Sequence, residues 1–130
     1  MLKRIASHCS LGQLTLAVCL TTGVSAAFAA EFPSGSYAAT GQTLTVTFDD
    51  KGRFRVTKNG VMEVAGRYIV KGDKVVFTDQ EGPWACTNTD QQTGTYRWKY
   101  DNAALTFSKV ADHCEGRVVS MTSAAWKRQN

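Results

Sequence analysis

Thr43-Leu44-Thr45-Val46-Thr47-Phe48, then Asp49-Asp50-Lys51-Gly52, then Arg53-Phe54-Arg55-Val56-Thr57-Lys58, then Asn59-Gly60: these eighteen residues decide the fold. Leu44, Val46 and Phe48 alternate with threonines, and Phe54 and Val56 alternate with arginines and a threonine. A period of two places one set of side chains on a buried face and the other in water, the pattern of an antiparallel strand. Between the two runs lie turn-forming residues. Asn-Gly accepts positive φ at both central positions of a two-residue hairpin.

Outward from this stretch the alternation continues. Met62, Val64, Tyr68 and Val70 share one parity, followed by Val75 and Phe77. Tyr96, Trp98 and Tyr100 alternate with Thr95, Arg97 and Lys99, and Leu105 and Phe107 with Thr106 and Ser108. Lys71-Gly72-Asp73 and Asp101-Asn102 supply further turns. The pattern predicts about eight strands, near 35–40, 43–49, 53–58, 61–70, 74–79, 93–100, 103–109 and 116–127, and no helix. Eight antiparallel strands in a small domain protect their edges by closing or by stacking two sheets. Short sequential turns favour an all-β, up-and-down barrel. The one long connection, 80–92, keeps a β-sandwich as the alternative.

Residues 1–29 read as an export signal. Lys3 and Arg4 precede an apolar stretch from Leu14 to Val24, and Ala27-Phe28-Ala29 has the small-x-small form of a cleavage site. The expected mature domain spans 30–130. It holds thirteen Lys and Arg against eleven acids, so the net charge falls from +4 to +2. Most of the apparent basicity therefore belongs to the signal, and a nucleic-acid surface loses its support. No apolar run is long enough to span a membrane as a helix. A periplasmic or secreted location and a monomer are expected.

Two cysteines stay in the mature chain, Cys86 and Cys114. An even count behind an export signal points to one disulfide. A hairpin centred on Asp101-Asn102 pairs residues whose numbers sum to about 203, and the two cysteines sum to 200, which places them together at its open end. The competing metal set adds His113 and Glu115, but adjacent His-Cys-Glu is not an ordinary ligand spacing. Neither a metal nor a cofactor is expected.

Gly35-Ser36-Tyr37 opens the first strand and Trp126-Lys127-Arg128 closes the last. With Gly82-Pro83-Trp84-Ala85-Cys86, Gly94-x-Tyr96-x-Trp98 and Cys114-x-Gly116-Arg117 between them, the chain resembles small secreted bacterial lipocalin-like (calycin) domains. The resemblance implies a barrel whose first-strand aromatic is covered by a cation from the last strand, here Tyr37 with Trp126 and Arg128, Lys127 and Arg117 being the other candidate cations. Tyr37 stands where lipocalins prefer tryptophan, the chain is shorter than a typical lipocalin, and no C-terminal helix is expected.

Inward parity falls on Tyr37, Phe54, Met62, Tyr68, Phe77, Tyr96, Trp98, Phe107 and Met121. These nine are the candidate lining for a small apolar or aromatic ligand, with Tyr68, Tyr96 and Trp98 as its expected contacts. Equally, they could simply fill the barrel, since eight strands leave little more room than side chains need. A second function follows from the 80–92 rim loop with Trp84: an inhibitor that grips a protease or a lysozyme. A barrel isomerase or cyclase ranks third, because no nucleophile, metalloprotease or phosphate-loop motif is present. His113 reads as a surface residue and no catalytic residue is assigned. Lys51, Arg53, Arg55, Arg97 and Lys99 read as a solvated exterior.

Overall fold

The computed structural model describes residues 30–130, so the expected signal, 1–29, lies outside the described residues. Eight strands follow in chain order: β1 (Gly35–Ala39), β2 (Leu44–Phe48), β3 (Arg53–Lys58), β4 (Val61–Lys71), β5 (Lys74–Glu81), β6 (Thr93–Asp101), β7 (Ala104–Ala111) and β8 (Trp126–Arg128). Each pairs antiparallel with the next, and β8 returns to β1 through Tyr37↔Arg128, Ala38↔Lys127 and Ala39↔Trp126. The sheet is a closed up-and-down barrel, which excludes the sandwich and is consistent with a calycin-like fold. Closure pairs every strand with two neighbours over at least part of its length.

The quoted stretch forms β2 and β3 as expected. Phe48 pairs with Phe54 and Val46 with Val56, all four buried, while Arg53 and Arg55 point to water. Asp49 holds the turn: its Oδ1 accepts from the Lys51 and Arg53 amides at 2.9 and 2.8 Å. Asn59 and Gly60 both adopt positive φ, the left-handed pair that a two-residue hairpin requires. The β6–β7 turn differs from expectation by one residue. Asp101 pairs with Ala104, so Asn102 and Ala103 are the central residues, with φ of 49° and 58°. An alanine in this region is strained, and sequence reading placed the turn on the better candidates beside it.

The last expected strand is corrected. Instead of one strand over 116–127, the chain forms helix α1 (Glu115–Thr122) and then the three-residue β8. Its inner face is Cys114, Arg117, Val118 and Met121, spaced three, four and seven residues apart, which is a helical stripe. Two valines and a glycine masked it, and one member of the stripe is an arginine. Because β8 covers only the start of β7, at Ala104 and Leu105, the rest of β7 lacks a strand beside it. The helix packs there and completes the wall.

Antiparallel succession puts the β1–β2, β3–β4 and β5–β6 connections and α1 at one end of the barrel. The opposite end is filled with rings. Phe32, just ahead of β1, lies 5.2 Å from Phe48, 5.3 Å from Tyr68 and 5.2 Å from Trp98, ring centre to ring centre. Phe48 continues the cluster to Phe77 and Phe107. Such edge-to-face and tilted contacts add to burial itself. Arg128 lies with its Cζ 5.7 Å from the Tyr37 ring centre, and its Nη1 donates to Tyr37 Oη at 3.1 Å. Gly35 allows this, because a Cβ there would stand 3.1 Å from Arg128 Nη2.

The strained turn generates a test. Ala103→Gly relieves a left-handed alanine and is expected to stabilise the protein by about 0.5–1 kcal/mol in urea unfolding. A loss of stability would mean that residue 103 does not hold this conformation.

Candidate functional site

The end of the barrel that carries α1 is open. A cavity of about 590 Å³ lies there, walled by Val46, Phe54, Val56, Val64, Phe77, Met121 and Trp126, with Trp84 and Val119 at its mouth. Alternation on β2, β3 and β5 turns Val46, Phe54, Val56 and Phe77 inward. A bulge between Val56 and Thr57 sets the register of β4 so that Val64 lies across from Val56. The loop between β5 and β6 carries Trp84 to the rim, where its amide donates to Glu63 O at 2.9 Å. Lys58 Nζ stands 5.6 Å from the centre of the Trp84 ring.

The buried polar groups of this apolar cup are Asp79 and Arg117. Asp79 continues the inward parity of Val75 and Phe77, and Arg117 projects from α1. Their side chains are 3% and 7% exposed. Arg117 Nη1 meets Asp79 Oδ2 at 2.9 Å, and its Nε and Nη2 grip Asp112 Oδ2 and Oδ1 at 2.7 Å each. Two further hydrogen bonds run to Gln92 O at 3.3 Å and Gln91 O at 2.7 Å, so four of the guanidinium's N–H groups donate and Nη1 is also ion-paired with Asp79. Asp112 also accepts from Tyr96 Oη and from the Cys114 amide. Gly94 makes room, since a Cβ there would fall on Asp112 Oδ2.

The disulfide joins the same cluster. Cys86 and Cys114 are bonded, with Cα atoms 6.2 Å apart, and tie the loop before β6 to the residue that starts α1. The Cys86 amide donates to Asp79 Oδ2 at 2.9 Å and the Cys114 amide to Asp112 Oδ1 at 2.8 Å. The two carboxylates that bracket Arg117 therefore also hold the two backbone segments that the disulfide links. Among the described residues Asp79, Cys86 and Cys114 also cluster as a candidate metal set, but both sulfurs are committed to each other.

Two acids share one arginine in this cluster. Burial pushes the Asp79 carboxyl above its ordinary range, against the Cys86 amide and Arg117, which pull it down. For Asp112, burial acts in the same upward direction, but hydrogen bonds from Arg117, Tyr96 and Cys114 outweigh it and hold the carboxyl low. Burial, then the hydrogen bond to Asp112, pushes the Tyr96 phenol far up, so it stays a donor. Asp79 Oδ1 alone is buried without a hydrogen-bond partner.

The nine residues expected to line a ligand site divide between the two ends. Phe54, Phe77 and Met121 stand in the cup wall. Tyr37, Tyr68, Trp98 and Phe107 belong to the packed end, and their polar atoms are spent within the protein: Tyr68 Oη donates to Asp49 O at 2.5 Å, and Trp98 Nε1 to Gly72 O at 2.9 Å. Tyr96 is fully buried beneath Asp112. Met62 pairs with Thr57 across the bulge, which carries it off the parity of Val64 and out of the core. Trp126 is in the cup wall, apart from the Tyr37–Arg128 pair. Arg117, weighed above as a cover for Tyr37, pairs with carboxylates instead.

Sequence reading missed Val46, Val56, Val64, Asp79, Asp112 and Arg117 as site residues. Asp79 carried a usable signal, an acid on the inward parity of an otherwise apolar run. Neither a protein-family model, nor a curated protein, nor a solved structure matches this chain.

The disulfide closes a loop with a sequence separation of 28. Reduction is expected to lower stability by about 3–4 kcal/mol in the chain-entropy account, read as a marked fall in Tm with and without reductant. An unchanged Tm would show that the Arg117 cluster holds these segments without the bond.

Proposed function

We propose that this is an exported, lipocalin-like binding protein that takes a small apolar or aromatic ligand into the cup beside α1. The observation that carries the reading is the cavity itself. At about 590 Å³ it falls in the range of small-molecule sites, and its wall is almost wholly apolar. The packed aromatic end gives that cup a rigid floor. No helix among the described residues is long and apolar enough to cross a membrane, and the disulfide is compatible with an oxidising compartment. Both suit the periplasmic or secreted location that the export signal suggests. The rim also supports the second reading, inhibition of a protease or lysozyme, because Trp84 is 42% exposed on the loop before β6.

Titration with the neutral probe N-phenyl-1-naphthylamine tests the reading. Saturable binding is expected, with quenching of tryptophan emission that survives Trp98→Phe and shrinks in Trp126→Phe, since Trp126 lines the cup and Trp98 does not. Filling the wall with Val64→Trp should weaken the probe by about tenfold or more. Absence of saturable binding would refute the carrier reading and move the test to the rim loop against proteases and lysozymes.

A further inference from the structure

Resting on the cup as the binding site, we infer that its ligand carries a hydrogen-bond-donating head, an amine or a hydroxyl, on an apolar body, and that the cup rejects carboxylates. The inference comes from which polar valences are free. The cavity lining carries one guanidinium, Arg117, which donates four hydrogen bonds to Asp112, Gln91 and Gln92 and is ion-paired with Asp79 as well. Its charge is thus already paired with two carboxylates, and its side chain is 7% exposed. Lys58, which stands over Trp84, is outside the lining.

Unpaired acceptor capacity, by contrast, lies at the wall. Asp79 is on the cavity wall, and its Oδ1 is the one buried side-chain polar atom among the described residues with no partner. Its other oxygen is held by Arg117 and the Cys86 amide, so the carboxylate cannot turn away without breaking both. A buried acceptor left unsatisfied costs free energy that a ligand donor would recover. Glu115 adds a second carboxylate to the lining, at the exposed N-terminal turn of α1. An entering carboxylate would meet two acids and no unused cation. An ammonium would meet the two carboxyls of the lining and a hydroxyl would meet the orphan Asp79 oxygen. Phe54, Phe77 and Trp126 then enclose the apolar body.

Three probes of one chain length decide this on the wild-type protein: decylamine, decanol and decanoate, each displacing N-phenyl-1-naphthylamine at neutral pH. The amine and the alcohol are expected to bind more tightly than decanoate by about tenfold or more, the scale set by one unsatisfied buried polar group. Decanoate binding as tightly as either would overturn the head-group inference while leaving the cup reading intact. No displacement by any of the three, with no binding of the naphthylamine itself, would overturn both. Asp79→Asn supplies a second arm: its Oδ1 can keep the bonds to Arg117 and Cys86 while Nδ2 becomes a donor where an acceptor was. This variant should lose the preference for decylamine over decanoate. A preference unchanged in a folded Asp79→Asn protein would contradict the role of Asp79, and if that variant does not fold, the wild-type series still decides.

Discussion

One buried guanidinium organises the open half of this barrel. Arg117 reaches from α1 between Asp79 of β5 and Asp112 at the end of β7, and it also binds two carbonyls of the loop before β6. A charge in such surroundings is tolerated only when its partners are complete, and removing one partner of a buried pair typically costs about 3–5 kcal/mol. The arrangement therefore admits a single position for α1. The disulfide fastens the same two segments covalently, and both its cysteines lend their amides to the acids around Arg117. Charge, covalent bond and backbone hydrogen bonds meet at one point.

The position of the cup follows from that point and from a short strand. β8 has three residues, enough to close the barrel only at the packed end. Had it run the full height, its side chains would occupy the space that now opens beneath α1. α1 instead lines the cavity there, through Arg117, Val119 and Met121. At the other end Phe32 completes a ring cluster with Phe48, Tyr68 and Trp98. The molecule is thus a filled half and an empty half built from one continuous sheet, and the chemistry of the empty half is set by its one polar corner.

Much of the architecture was legible because it rests on period and punctuation. Leu44 to Phe48 and Phe54 to Val56 announce their buried face in every second residue, and Asn59-Gly60 announces its turn. The disulfide followed from count and register. The legibility ends where a local rule is broken. α1 hides behind Val118 and Val119, which suit a strand, and behind an arginine on its inner face. The turn at Asn102-Ala103 uses an alanine where glycine or asparagine is the ordinary residue. Met62 shares the parity of Val64, but a bulge between them and β3 separates their faces, and no pattern in the residues marks a bulge. The tyrosines seemed the natural ligand contacts because phenols combine ring and hydroxyl. Their hydroxyls instead hold the barrel's own backbone and Asp112, a partner choice that depends on distances no sequence displays.

The central claim is that the Arg117 ion pairs hold α1 in place as the wall of the cup. Amide hydrogen exchange on the folded protein, compared between wild type and Arg117→Met, tests it most directly. Methionine preserves the bulk of the side chain and removes the charge. The account predicts that amides of 115–122 lose protection by about tenfold or more, while those of β2 to β4 exchange as before. Unchanged protection across α1 would show that packing and the disulfide alone hold the helix, and would contradict the account.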